Sequence, residues 1–308
     1  MLERLAGNDA LKAELGTALR GGRLPHAVLL VGEPGCGTGF AARCLAADYL
    51  YPAGGPHAEA VLKKEDTECL VLQGEGASGQ IPVKKVREAR ESIQRSALST
   101  DAAGRVLFIY GAQNLNGTQG SAANALLKII EEPPEGVLFL LTAPTAAVVL
   151  PTIRSRCAAY TIAPVPAADC AARLRAECLP AKAADELAFL YEGHIGTALK
   201  SWNDQTTKAA LGMAKTLCGY AAQGDTYRAL ALLTKYERDK EGFAALLWQL
   251  DQLCSAVLRR PAYGQEQCGG LTPDDAAKIL RADAGARRSL NSNGNLRLNV
   301  AVLAGEIT

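Results

Sequence analysis

An α/β fold is what this sequence predicts: a doubly wound parallel sheet, then a small helical segment, then an all-helical C-terminal region. Three observations carry that expectation. A glycine-rich stretch, GEPGCGTG at residues 32–39, lies between an apolar run of strand length and a helical pattern, the strand–loop–helix order of a phosphate-binding loop. Apolar runs of strand length then alternate with helix-period segments as far as Pro164, which is how a parallel sheet wound on both faces reads. From about residue 206 to residue 308 the apolar spacing is helical and Ala is abundant, a composition that favours helix.

In chain order, residues 2–20 read as a helix with Leu2, Leu5, Leu11, Leu15 and Leu19 as candidate buried positions, ended by GGRLP at 21–25. HAVLLV (26–31) is the first strand and FAARCLAADYL (40–50) the helix after the glycine loop. YPAGGPHAEA (51–60) reads as a Pro/Gly-rich surface insertion, and CLVLQ (69–73) as a short strand. After the loop GEGASGQIP, residues 83–98 form a helix whose buried stripe runs through Val83, Val86, Ala89 or Arg90, Ile93 and Ala97. Lys84, Lys85, Arg87 and Glu88 face away; the basic pair fits a solvated face or a DNA contact. RVLFIY (105–110) and VLFLLTA (137–143) are near-continuous apolar runs, as strands buried on both faces should be. Between them, in SAANALLKIIEEPPEG (121–136), Ala123, Leu127 and Ile130 with Leu126 make a helical face, and Pro133-Pro134 stops the helix. Glu131 and Glu132 sit in its last turn, where the macrodipole disfavours negative charge, so this end is expected to be solvated or kept for contact with something else. LPTIRSRC (150–157) is a short turn with Arg154 and Arg156, and AAYTIAP (158–164) is the last strand. Helical segments follow: a small group over 165–205, then LLWQLDQLCSAVLRR (246–260) with one apolar stripe, then two helices within 271–307.

The glycine loop is the chemical centre of this reading. A nucleotide loop reads G-x-x-x-x-G-K-[ST]: backbone N–H groups cradle phosphates, the Lys reaches the β/γ-phosphates and the hydroxyl holds Mg²⁺. Gly32 and Gly37 keep that frame, with Gly35 between them, but Thr38 stands at the Lys position and Gly39 at the hydroxyl position. Taken alone, the stretch also fits an ordinary glycine turn. A second loss lies further on. In ATPases with this loop the strand equivalent to 105–110 ends in acids that steer Mg²⁺ and activate water; here the tip is Tyr110-Gly111.

At 308 residues the chain has room for two or three domains, and 48% hydrophobic with 21% charged residues is an ordinary globular balance. A net charge of +1 supplies no bulk basic field for nucleic acid and leaves only local patches. The start, MLERLAGNDALKAEL, has acids and no apolar core of a signal peptide, and no run approaches a membrane span. Nine scattered cysteines without a CxxC pair suit a reducing cytoplasm. Cys44, His57 and Cys69 lack the close pair that zinc sites use, so thiols without metal are the expectation.

With the loop frame, NALLKIIEEPP and TIRSRC together, the chain resembles clamp-loader subunits of the AAA+ class, and within it the delta-prime family of bacterial DNA polymerase III. The likeness runs from LPHAVLLVGEPG through the SRC motif to LNSNGNLRLNVAVL near the C-terminus. It implies an AAA+ base over about 1–164, a helical lid over about 165–205 and a helical collar over about 206–308. It implies that Ser155, Arg156 and Cys157 are the SRC motif, whose Arg reaches into the ATP site of a neighbouring subunit. An always-charged planar fork suits charge building on a γ-phosphate. Arg154, which precedes the motif, is the lesser candidate. Thr142 falls at the family's phosphate-sensing strand end and is expected to be structural here. Thr197, in GHIGTALK, stands where ATP-binding relatives carry an Arg.

The departures point to a subunit without cofactor or metal of its own. The implied partners are ATPase subunits of the gamma/tau type, a delta-type subunit and, through the complex, the sliding clamp and primed DNA, with no membrane. Two other readings stay open: a self-sufficient ATPase motor with a divergent loop, and a degenerate nucleotide or anion sensor outside any replication complex.

Overall fold

The computed structural model describes residues 1–76, 79–94, 101–115 and 121–308. The chain divides into two compact units. The first comprises Met1–Glu177 with Gly193–Gly196; the second comprises Cys178–Glu192 with Thr197–Thr308. The helical segment that the sequence sets apart at 165–205 is thus shared: α7 (Ala167–Ala176) lies in the first unit and α8 (Ala181–Leu190) in the second, while α9 (Ile195–Asn203) contributes to both.

The first unit is built on five parallel strands, β1 (Ala27–Val31), β2 (Cys69–Gln73), β3 (Arg105–Tyr110), β4 (Val137–Ala143) and β5 (Ala158–Thr161), in the order β2-β3-β4-β1-β5. The central strands are apolar throughout because both faces are covered. Their alternate residues divide between two cores. Leu29, Leu107, Ile109, Phe139 and Leu141 meet α4 (Val83–Ile93) and α5 (Ser121–Glu131). Val28, Leu30, Phe108, Leu138 and Leu140 meet α1 (Asp9–Arg20), α2 (Thr38–Leu50) and α3 (Pro56–Lys63).

Four local expectations are corrected. Residues 2–20 are a 3₁₀ turn, Leu2–Arg4, and a separate helix from Asp9, because Gly7 and Asn8 take left-handed conformations; Leu11 and Leu19 are only half-buried. The supposed surface insertion contains α3, which starts with Pro56 in its first turn and buries Ala58 and Val61 against the core. Leu126 and Ile129 rather than Leu127 lie at the centre of the buried face of α5, and Ala122 joins them. The helix expected over 83–98 ends at Ile93, Ala89 and not Arg90 continues its stripe, and Ala97 and Leu98 lie outside the described residues.

The second unit is helical: α8, the body of α9, α10 (Gln205–Ala222), α11 (Thr226–Leu233), α12 (Lys240–Arg259), α13 (Pro261–Gln267), α14 (Pro273–Asn291) and α15 (Leu296–Ile307). Its caps are written in the sequence. The side chains of Asp204, Asp225, Asp239 and Asn295 each accept an N–H from the first turn of the following helix, and Thr272 with Asp275 forms a capping box. The stripe Phe243, Leu246, Leu247, Leu250, Leu253 and Val257 makes α12 the buried centre. Tyr191, also buried, lies 3.0 Å from Gln249 Oε1 and meets the oxygen end of the amide that α12 buries. Among the described residues no helix is long and apolar enough to cross a membrane.

Candidate functional site

The sequence candidates fall in two places, the first at the carboxyl edge of the parallel sheet and the second at its amino edge. The first is the glycine loop after β1. Gly32 cannot carry a side chain, since a Cβ there would stand 2.5 Å from the Ile162 carbonyl oxygen. Gly35 and Gly37 both have φ +96°, a left-handed backbone that only glycine adopts without strain. Thr38 and Gly39 are the first two residues of α2, so the loop and helix N-terminus have the form of a phosphate cradle. The space beside Gly39 is taken by Tyr110, the tip of β3: a Cβ at 39 would lie 3.4 Å from its ring and 3.8 Å from an Arg43 guanidinium nitrogen. Burial pushes the Tyr110 hydroxyl above its ordinary pKa, and the facing Arg43 offsets part of that shift. Gly111 follows with φ +76° and donates its N–H to Thr142 Oγ1 at 3.1 Å. Thr142 therefore ties the tips of β3 and β4 together.

The residues that cover the loop escaped sequence reasoning. Gly196 N–H donates to the Gly35 carbonyl at 2.8 Å, and His194 Nε2 lies 3.0 Å from Glu33 Oε2. Gly193 makes this approach possible, because with φ +80° its missing Cβ would otherwise overlap the Val165 carbonyl. The paired glycines in GHIG are the only local signal of it. Thr197 is half-buried in α9, in the second unit.

The second place is the turn before β5. Pro151 opens the four-residue helix α6 (Pro151–Arg154), and Ile153, fully buried, pins it to the core. Arg154, Ser155 and Arg156 are consequently exposed. Arg154 makes a long 3.4 Å bond to the Ala146 carbonyl. Arg156 is held more fully: Nη1 donates to the Thr152 carbonyl at 2.9 Å and to Ser155 Oγ at 3.3 Å, and Nη2 pairs with Glu131 Oε1 at 2.7 Å. Glu131, expected to face solvent or a partner, thus has a partner within its own chain. Cys157 turns inward, and burial raises its thiol to about 11, which keeps it protonated and unreactive.

The remaining candidates have structural surroundings. Lys84 pairs with Glu88 at 3.7 Å, and Lys85 pairs with Glu75. Cys44 is fully buried, with its thiol pushed up to about 12 by burial, and His57 stacks on Tyr51. No group of three or more metal-ligating side chains occurs among the described residues.

The family model described as DNA polymerase III, delta subunit, matches residues 7–166. DNA polymerase III subunit gamma/tau of Mycobacterium tuberculosis (strain ATCC 25618 / H37Rv) is 34% identical over 157 residues, 49% of this chain but only 27% of that protein. DNA polymerase III subunit delta' of Escherichia coli (strain K12) is 30% identical over 195 residues, 63% of this chain and 56% of that protein. The chain therefore spans about a quarter of the first relative (27%) and just over half of the second (56%). Among solved structures, a point mutant of Thermotoga maritima RuvB aligns with a TM-score of 0.52 at 17% identity, over 96% of this chain and 85% of that one. That likeness concerns the fold, an α/β base of the AAA+ type with a helical C-terminal region.

Proposed function

This chain belongs to the DNA polymerase III, delta subunit family of clamp-loader proteins, and from that premise we propose that it is the non-hydrolysing, delta-prime-type subunit of the loader. The observation that carries the reading is the glycine loop. Thr38 and Gly39 replace the residues that meet the triphosphate and its metal, Tyr110 packs where the second of them would project, and Tyr110-Gly111 supplies neither acid. The backbone cradle is retained without the groups that make it an ATPase.

In this reading the protein's part in catalysis is Arg156, held out at the surface and offered in trans to the ATP site of a gamma/tau-type neighbour, where its charge offsets that of the transferring phosphoryl group. The partners are ATPase subunits of that type and a delta-type subunit, and through the complex the sliding clamp and primed DNA. Residues of about 165–205 serve as the lid and about 206–308 as the oligomerising collar.

The identity to gamma/tau over 157 residues favours a second reading, an ATPase motor with a divergent loop. One experiment separates them. The purified chain, and a reconstituted loader carrying Arg156→Ala, are assayed for ATP turnover with clamp and primed DNA. Our reading expects no turnover by the chain alone, normal assembly of the variant, and loss of roughly 10³–10⁵ in rate at the one site it serves. Turnover by the isolated chain favours the motor; wild-type rates in a complex containing Arg156→Ala refute the arginine's role.

A further inference from the structure

The placement of Glu131 goes beyond that reading and rests on it. Its carboxylate is at the last residue of α5, where the helix dipole opposes negative charge. It is nevertheless held firmly. Ile129 and Ile130 bury the last turn of α5, and Pro133-Pro134 bar its continuation. The facing turn is equally anchored, through Ile153. Between these two fixed points lies the guanidinium of Arg156, with Glu131 at Nη2 and with Thr152 and Ser155 at Nη1.

We propose that Glu131 is the positioning residue of Arg156. A guanidinium has five N–H donors in one plane. Nη1 uses both of its donors on Thr152 and Ser155, Nη2 carries the ion pair, and Nε–H makes no bond among the described residues. The bracket leaves donors available for an oxyanion while it selects one rotamer of a side chain that otherwise has many. The anion it suits is a polyphosphate brought by a neighbouring subunit. At 38% and 46% exposure of the two side chains the pair is open to solvent, so its bias is modest, about five-fold at most. That is enough to raise the fraction of productive fork without competing with a triphosphate for it.

Two measurements test this. In the isolated full-length chain, ¹⁵N relaxation of the Arg156 Nε–H reads the bracket directly. The fork should be restricted in the wild type and mobile in Glu131→Ala, with Glu131→Gln between them; equal mobility in all three overturns the proposal. In the reconstituted loader, Glu131→Ala should lower kcat by roughly 2- to 5-fold with KM for ATP and assembly unchanged, Glu131→Gln should recover part of the loss, and adding Glu131→Ala to Arg156→Ala should cost nothing more. A rise in kcat would mean that Glu131 masks the arginine, and an undiminished loss in the Arg156→Ala background would mean that it acts elsewhere; either overturns positioning. If Arg156→Ala itself leaves the rates at wild type, the reading in trans fails, and the relaxation data separately decide whether the bracket exists.

Discussion

Refilling the glycine loop is the sharpest test of why this chain should be silent. The perturbation is Thr38→Lys with Gly39→Ser, which restores both side chains that a nucleotide loop uses. The structure indicates that the fold will accept them. The 3.4 Å and 3.8 Å separations from a Cβ at 39 to Tyr110 and Arg43 are near ordinary contact, so the serine hydroxyl displaces the Tyr110 ring at an overpacking cost of about 1–3 kcal/mol. Replacing glycine within α2 returns roughly half a kcal/mol of helix propensity. Hydrogen bonds from a charged donor contribute about 1.5–3 kcal/mol each, so the lysine should tighten ATP binding by roughly ten- to a hundred-fold. Isothermal calorimetry should find no micromolar ATP affinity in the wild type, that gain in the double variant, and no Mg-dependent turnover in either, because Tyr110-Gly111 still lacks the acids. Micromolar binding by the wild type, or hydrolysis by the double variant, would refute the reasoning.

Two further predictions concern stability. Gly193→Ala sets a Cβ 1.7 Å from the Val165 carbonyl at φ +80° and should cost about 3 kcal/mol or more in chemical denaturation, whereas Gly212→Ala, in α10 with nothing within 4 Å, should add about 0.5–1 kcal/mol; equal midpoints would contradict the packing around Gly193. Asp283, buried in α14, has its carboxyl raised from the ordinary 3.8 to about 6, by burial first and by Asp251, against the opposing Arg287. The native state therefore keeps a proton that the unfolded chain loses, and this contribution is whole below about pH 4 and is lost as pH rises to about 6, by at most about 3 kcal/mol. Asp283→Asn should remove that slope, so that the stability difference between variant and wild type shifts in favour of the variant between about pH 4 and 7. Parallel curves would show that burial does not govern this carboxyl.

The sequence by itself determined the strands, the glycine frame, the helical character of the chain beyond about residue 165 and the chemistry missing from residues 38, 39, 110 and 111. These are local matters: an apolar run, a helical period or an absent lysine is read within a few residues. The same periodicity hid α3, whose Pro56 and flanking glycines resemble a loop until Ala58 and Val61 find a core. Tertiary structure alone decided which candidates meet. The order β2-β3-β4-β1-β5 brings the tip of β3 beside Gly39, sets Gly196 against Gly35 and carries Arg156 to the end of α5. Periodicity states which face of an element is buried and not what buries it; Glu131 reads in sequence as an acid either solvated or kept for contact with something else, and only the packing of α5 against the turn before β5 makes it the partner of Arg156.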